Sequence, residues 1–94
     1  MKIVWLRKAL FDINALEEYI AQDNRSAARR ACQQIKKAVE LLGRQPEIGR
    51  TGRVAGTREL VVPGTPYVVA YTSGPATVLI IAVIHGARKW PDAF

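Results

Sequence analysis

His85, the single histidine of this chain, ends a run of seven apolar residues, Val78 to Ile84, and is followed closely by Arg88, Lys89 and Trp90. Upstream, Arg50, Arg53, Arg58 and Glu59 crowd into a glycine-rich stretch. These residue types could cleave RNA through its 2′-hydroxyl. That reaction needs a base for the hydroxyl proton, cations for charge on the phosphate, and an acid for the leaving oxygen. His85 and Glu59 are the candidates for proton transfer, and Arg50, Arg53, Arg58, Arg88 and Lys89 for the phosphate. Tyr67, Tyr71 or Trp90 could stack a base. Each also has a structural reading. Glu59 and Arg58 alternate with Leu60 on a strand, so one of them is expected to face solvent. Arg50 and Arg53 suit a phosphate and a protein partner equally. Tyr67 and Tyr71, four apart in a strand, share one face and are expected to pack the sheet. Trp90, next to Pro91, is expected to close an edge of the core. One histidine, one cysteine and scattered carboxylates lack metal-ligand spacing, so neither a metal nor a cofactor is expected.

The elements that must position these residues are legible from periodicity. "KIVWL" (2–6) reads as a first strand, with Trp5 in the core. From Ala9, Leu10, Ile13, Leu16 and Ile20 recur at helical spacing, flanked by Phe11, Ala15 and Tyr19, with Asp12 expected in the first turn. "QDN" ends that helix, and Asn24 or Ser26 can cap a second from about Ser26 to Leu42, with a stripe of Ala28, Ala31, Ile35, Val39 and Leu42. Its other face carries Arg25, Arg29, Arg30, Lys36 and Lys37. Gly43 fits a left-handed stop, and Pro46 prevents continuation. "TRELVV", "PYVVAYTS" and "TVLIIAVIH" then read as three strands joined by short links. The expected fold is α+β, a single domain over 1–94. An N-terminal strand and an antiparallel helix hairpin precede a three-stranded antiparallel meander, in the order β-α-α-β-β-β. The unbroken apolar run 78–84 implies a strand with both faces covered, or one whose second face awaits another chain.

Bulk properties narrow the class. Ninety-four residues with 49% hydrophobic content make one globular domain. No apolar run nears the roughly 20 residues that span a bilayer, and no signal peptide is expected, so no membrane partner is expected. The lone Cys32, among Ala28, Ala31 and Ile35, reads as a small buried residue of a cytoplasmic protein. A net charge of +6 pulls the domain toward polyanions or an acidic protein.

The chain resembles the RelE/ParE superfamily of bacterial toxins along essentially its whole length. The resemblance rests on the element order and on three stretches. These are "ALEEYIAQDNRSAARRACQQIKKAVELLGRQPEIGR", "GRVAGTRELVVPGTPYVVAY" and "IIAVIHGARKWP". It implies the toxin of a type II toxin–antitoxin pair, neutralised by an acidic antitoxin from an adjacent gene in a hetero-oligomer. Two activities occur in the superfamily. RelE-like members cleave mRNA on the ribosome, and ParE-like members inhibit DNA gyrase without catalysis. The nuclease branch resembles "Y-R-L-V-Y" in the third strand, whereas this chain has "YVVAY", with Val68 at the arginine position. Its tail "HGARKWPDAF" lacks the tyrosine of that branch, while "VIHGAR" fits a ParE-like "V-L-H-x-x-R". Gyrase inhibition is therefore the leading expectation, with ribosome-dependent endoribonuclease as the alternative, in which His85, Arg58 and Arg88 would be catalytic. Otherwise Arg50, Arg53, Arg58, Arg88, Lys89 and Trp90 bind the target. A non-toxic, basic nucleic-acid-binding module is a further alternative.

Overall fold

The computed structural model describes residues 1–88, 90, 91, 93 and 94. The sequence-predicted candidate Lys89 lies outside the described residues. Strand β1 (Lys2–Trp5) leads through Leu6 into helix α1 (Arg7–Ala21) and helix α2 (Arg25–Leu42). Four strands follow: β2 (Arg50–Thr51), β3 (Arg58–Val61), β4 (Tyr67–Ser73) and β5 (Thr77–His85). They form one sheet in the order β1-β5-β4-β3-β2. β1 runs parallel to β5, and the other pairs are antiparallel. The expected α+β architecture is present, with the two-residue β2 as an additional edge strand.

The α2 cap is as expected: Asn24 Oδ1 accepts from the Ala27 N–H at 3.0 Å. At the other end, Gly43 is right-handed (φ −63°), correcting the expected left-handed stop. The helical course runs on to Gln45, whose N–H reaches the Leu41 carbonyl at 2.9 Å, and Pro46 ends it. Gly43 serves close approach instead. A Cβ there would stand 3.3 Å from the Ile3 side chain and the Met1 carbonyl, and the N-terminal amine donates to Gly43 O.

One sheet face packs on the helices. Tyr67, Val69 and Tyr71 of β4 and Val78, Ile80 and Val83 of β5 meet Ala9, Ile13, Leu16, Cys32, Ile35, Val39 and Leu42. Leu10, expected in the α1 stripe, is exposed instead, because Ala9, Ile13 and Leu16 take the inward positions. β5 lies inside the sheet, between β1 and β4. On the face away from the helices, Val68, Ala70 and Ala82 are buried, while Leu79, Ile81 and Ile84 of β5 are half-buried. Between Ile80 and Ala82 the register with β4 slips by one residue, leaving Ile81 as a bulge.

β1 covers β5 only as far as Ile80, whose carbonyl accepts from the Leu6 N–H at 2.9 Å. Farther along, the edge of β5 is tied to α1. Asp12 Oδ2 accepts from the Val83 N–H at 3.0 Å and from Lys8 Nζ at 2.9 Å. Asp12 is therefore a link between helix and sheet. α1 begins at Arg7, so Asp12 falls beyond the first turn, where the helix dipole was expected to hold it.

Candidate functional site

The candidate residues separate onto the two faces of the sheet. Residues directly opposite in antiparallel strands share a face. Glu59 pairs with Ala70 and Arg50 with Glu59, placing both on the face away from the helices. Arg58 pairs with Tyr71, and Tyr67 with His85, on the helix-packed face.

On the outer face Glu59 is 1% exposed and saturated with donors. Oε1 accepts from Arg50 Nε (3.2 Å) and Nη2 (2.9 Å), and Oε2 from the Arg53 backbone N–H at 2.7 Å. Arg53 Nε stands 3.5 Å from Oε1, and its guanidinium lies 4.0 Å from the Trp90 ring centroid. Arg50, Arg53, Glu59 and Trp90 thus form one assembly that straps the 50–54 segment and the tail to the sheet. The buried Trp90 Nε1 has no partner among the described residues. Neither Glu59 nor Arg58 faces solvent freely, contrary to expectation. A buried carboxylate needs its donors, and Arg58 Nη1 bonds the carbonyls of Gly49 (2.9 Å) and Glu47 (3.3 Å). The same loop is gripped by Tyr71, whose hydroxyl accepts from the Gly49 N–H (2.9 Å) and donates to the Pro46 carbonyl (2.8 Å). A methyl group on Gly49 would overlap the Tyr71 ring, so glycine is required there. Burial raises the Tyr71 phenol pKa, offset in part by the Gly49 bond and the Arg58 charge.

Val68 is 4% exposed. The chain crosses it at Gly86, where a Cβ would lie 3.4 Å from Val68 Cγ2 and from the Pro66 carbonyl. The Gly86 N–H donates to that carbonyl at 2.8 Å.

His85 lies elsewhere, in a groove of about 500 Å³ between α1 and the end of β5. Its Nδ1 accepts from the Ala87 N–H at 3.1 Å, and its ring meets Tyr67 edge-on at a centroid separation of 5.7 Å. Phe11, Tyr19, Lys8 and Arg88 also line the groove. Phe11 is 71% exposed and Tyr19 65%, a large apolar outlay for a protein surface. Burial raises the Tyr67 pKa, with nearby Arg88 opposing the shift. Phe11, Tyr19 and Lys8 were not among the sequence-predicted site residues. Their signal was present: Phe11, Ala15 and Tyr19 recur at i, i+4 and i+8, a second stripe wider than one core contact uses. Cys32 is buried in the core, as expected; burial, then the Glu17 carboxylate, pushes its thiol up to about 11.

Arg58 and His85 sit near opposite ends of the helix-packed face. The four residue steps from Tyr67 to Tyr71 separate them by about 13 Å along the strands, with two strand spacings across. Arg88, whose N–H donates to the His85 carbonyl at 3.0 Å, is the described candidate cation near His85, joined in the groove by Lys8. Among the described residues, no helix is long and apolar enough to cross a membrane.

Fold and groove define a small basic domain that presents an aromatic, cation-rimmed trough at the end of its sheet. The family model for the ParE toxin of the type II toxin–antitoxin system parDE matches residues 3–90. The protein Y4kP of Sinorhizobium fredii, named as a toxin, is 37% identical over 91 residues, covering 97% of this chain and 94% of its own. Toxin RelE2 of Caulobacter vibrioides is 39% identical over 87 residues, 93% of this chain and 97% of its own. A solved structure described as the chromosomal ParDE TA system from P. aeruginosa aligns with TM-score 0.80 and 25% identity, covering 90% of this chain and 95% of that one. The chain belongs to the ParE toxin family of type II toxin–antitoxin systems, and so has a cognate antitoxin as its partner.

Proposed function

We propose that this toxin arrests growth by binding and inhibiting DNA gyrase, without chemistry of its own. The observation that carries the reading is that the two acid–base candidates, Glu59 and His85, stand on opposite faces of the sheet, so that no single site holds both. Glu59 is enclosed by Arg50 and Arg53 on one face, whereas His85 opens into the α1 groove on the other. A general acid or base must stand within hydrogen-bond reach of the reacting atoms, with cations preorganised around the phosphate. Val68, buried under Gly86, supplies neither at the position where the nuclease branch has an arginine. Relatives carry both printed names, ParE and RelE, so the target is decided by assay.

The antitoxin is the natural occupant of the groove. Phe11 and Tyr19 offer apolar area to an amphipathic segment, and Lys8 and Arg88 offer charge to its carboxylates. Such an arrangement gives affinity from the aromatic anchors and orientation from the rim charges.

The test is purified toxin added to two reactions: gyrase with supercoiled plasmid, and translating ribosomes with mRNA. Inhibited supercoiling or trapped DNA breaks, with intact mRNA, is the expected result. Cleavage of ribosome-bound mRNA with gyrase unaffected would overturn the proposal. His85→Ala is expected to leave growth arrest largely intact, and its abolition in a folded variant would mark His85 as an acid or base.

A further inference from the structure

The groove and the Glu59 strap leave one charged surface without a role, the outer face of α2. The helix sequence RSAARRACQQIKKAVELL contains five cations, Arg25, Arg29, Arg30, Lys36 and Lys37, against the single carboxylate Glu40. Among the described residues the ion pairs use Lys8, Arg50 and Arg53, and none of the five. Arg25 and Arg29 border Glu17 and Glu18 of α1 across a shallow cleft, which moderates their charge. Arg30 borders no carboxylate in that cleft, and Lys37 has beside it only Glu40, three residues on along the helix. With Gln33 and Gln34 these two cations line a depression of their own, whose polar groups are hydrogen-bond donors and amide oxygens with no carboxylate. Since the helical course continues past Leu42 to Gln45, Arg44 follows Lys37 as Lys37 follows Arg30, seven residues on. Seven residues are nearly two helical turns, so the three cations lie in a row with steps of about 10.5 Å.

We propose that this row binds the phosphate backbone of a duplex nucleic acid. Two features of the face select that partner. None of the large exposed apolar residues (Met1, Leu6, Leu10, Phe11, Tyr19, Ile48, Val61, Phe94) belongs to α2, so the face lacks the apolar centre of a protein–protein contact. Nor does α2 contain an aromatic residue, so it has no platform on which unpaired bases could stack. What remains is a row of guanidinium and ammonium groups interleaved with amides, which neutralises and hydrogen-bonds phosphates without reading bases. The inference stands apart from the gyrase reading, since it concerns contact between the toxin and nucleic acid with no enzyme present.

The experiment is fluorescence anisotropy of the purified full-length toxin with a labelled 20-base-pair DNA duplex, the corresponding RNA duplex and a single strand, across a salt series. Binding to either duplex is expected to exceed binding to the single strand and to weaken steeply with salt. The two duplexes distinguish DNA from RNA as the natural source of the backbone. Arg30→Gln/Lys37→Gln is expected to weaken duplex binding by on the order of tenfold at low salt. It should also reduce the slope of log affinity against log salt by about 1.8, from about 0.9 for each lost phosphate contact. The charge-matched control Lys2→Gln/Arg7→Gln, on exposed residues elsewhere, should change neither. Equal losses in both double variants, stronger single-strand binding, or no duplex binding at low salt would each overturn the proposal.

Discussion

Replacing Glu59 by glutamine separates a structural carboxylate from a catalytic one. In the native protein both oxygens accept: Oε1 from Arg50 at 3.2 and 2.9 Å, Oε2 from the Arg53 amide at 2.7 Å. Glutamine keeps one oxygen and turns the other into a donor. Whichever way the amide is oriented, an N–H group then faces an N–H donor inside a site from which water is excluded. Breaking a fully buried ion pair costs several kcal/mol, but Arg50 and Arg53 are about half exposed and can turn to water. The expected loss is therefore about 2 kcal/mol, near that of one or two charge-assisted hydrogen bonds. For a domain of this size that lowers Tm by about 8–16 °C. Thermal unfolding by circular dichroism reads the shift, and growth arrest at a temperature where the variant stays folded reads the function. A Tm within about 2 °C of the parent would refute the account of Glu59 as the anchor of the strap. Full stability with growth arrest abolished would do more, because it would make Glu59 a participant in chemistry.

Three other perturbations probe different parts of the molecule. Tyr71→Phe leaves the Gly49 N–H without its acceptor and the Pro46 carbonyl without its donor, and should cost about 1–3 kcal/mol in urea unfolding. Stability should be level up to about pH 9 and decline above it. The folded state holds the Cys32 proton to about 11 against an ordinary 9.0, and the Tyr67 and Tyr71 protons above 10.0, so the unfolded chain releases them first. A urea midpoint unchanged from pH 7 to about 11 would contradict this assignment of buried neutral groups. Phe11→Glu/Tyr19→Glu, at two exposed positions, should weaken antitoxin binding by about 30-fold or more, with Tm almost unchanged. Calorimetry of the purified pair measures the affinity, and parental affinity would remove the groove as the antitoxin's seat.

The larger elements were legible in the sequence because each follows from a local rule. The 77–85 strand falls at its expected bounds, the Asn24 cap forms as expected, and Tyr67 and Tyr71 share the core face that a spacing of four dictates. What local rules do not carry is the partner of a polar group. Asp12 has the look of a helix-end residue, yet it binds a strand amide 71 positions away, at an edge that exists only once β1 has stopped at Trp5. Glu59 has the alternation of a solvent-facing strand residue, but a loop closes over it. Gly43 is placed by its contact with Met1 and Ile3, which a reading of the helix end alone does not include. The candidate site was legible as part of its residues, with Phe11, Tyr19 and Lys8 missed, and not as a grouping. Which cation stands beside which acid depends on strand register, and that register puts His85 and Glu59 on opposite faces.

The parallel pairing of β1 with β5 bears on when the toxin can first exist. Lys2 lies beside Thr77, and Trp5 beside Ile80, so β1 has no partner until β5 has been made. Until then the apolar faces of α1 and α2 have no β4–β5 surface on which to settle, and the hairpin alone has little reason to hold its shape. Long-range closure of this kind also slows folding. A chain lacking β5 therefore has no strand beside which β1 can settle and no surface on which both helices can. Closure of β1 onto β5 is the earliest moment at which an antitoxin can meet a finished toxin fold.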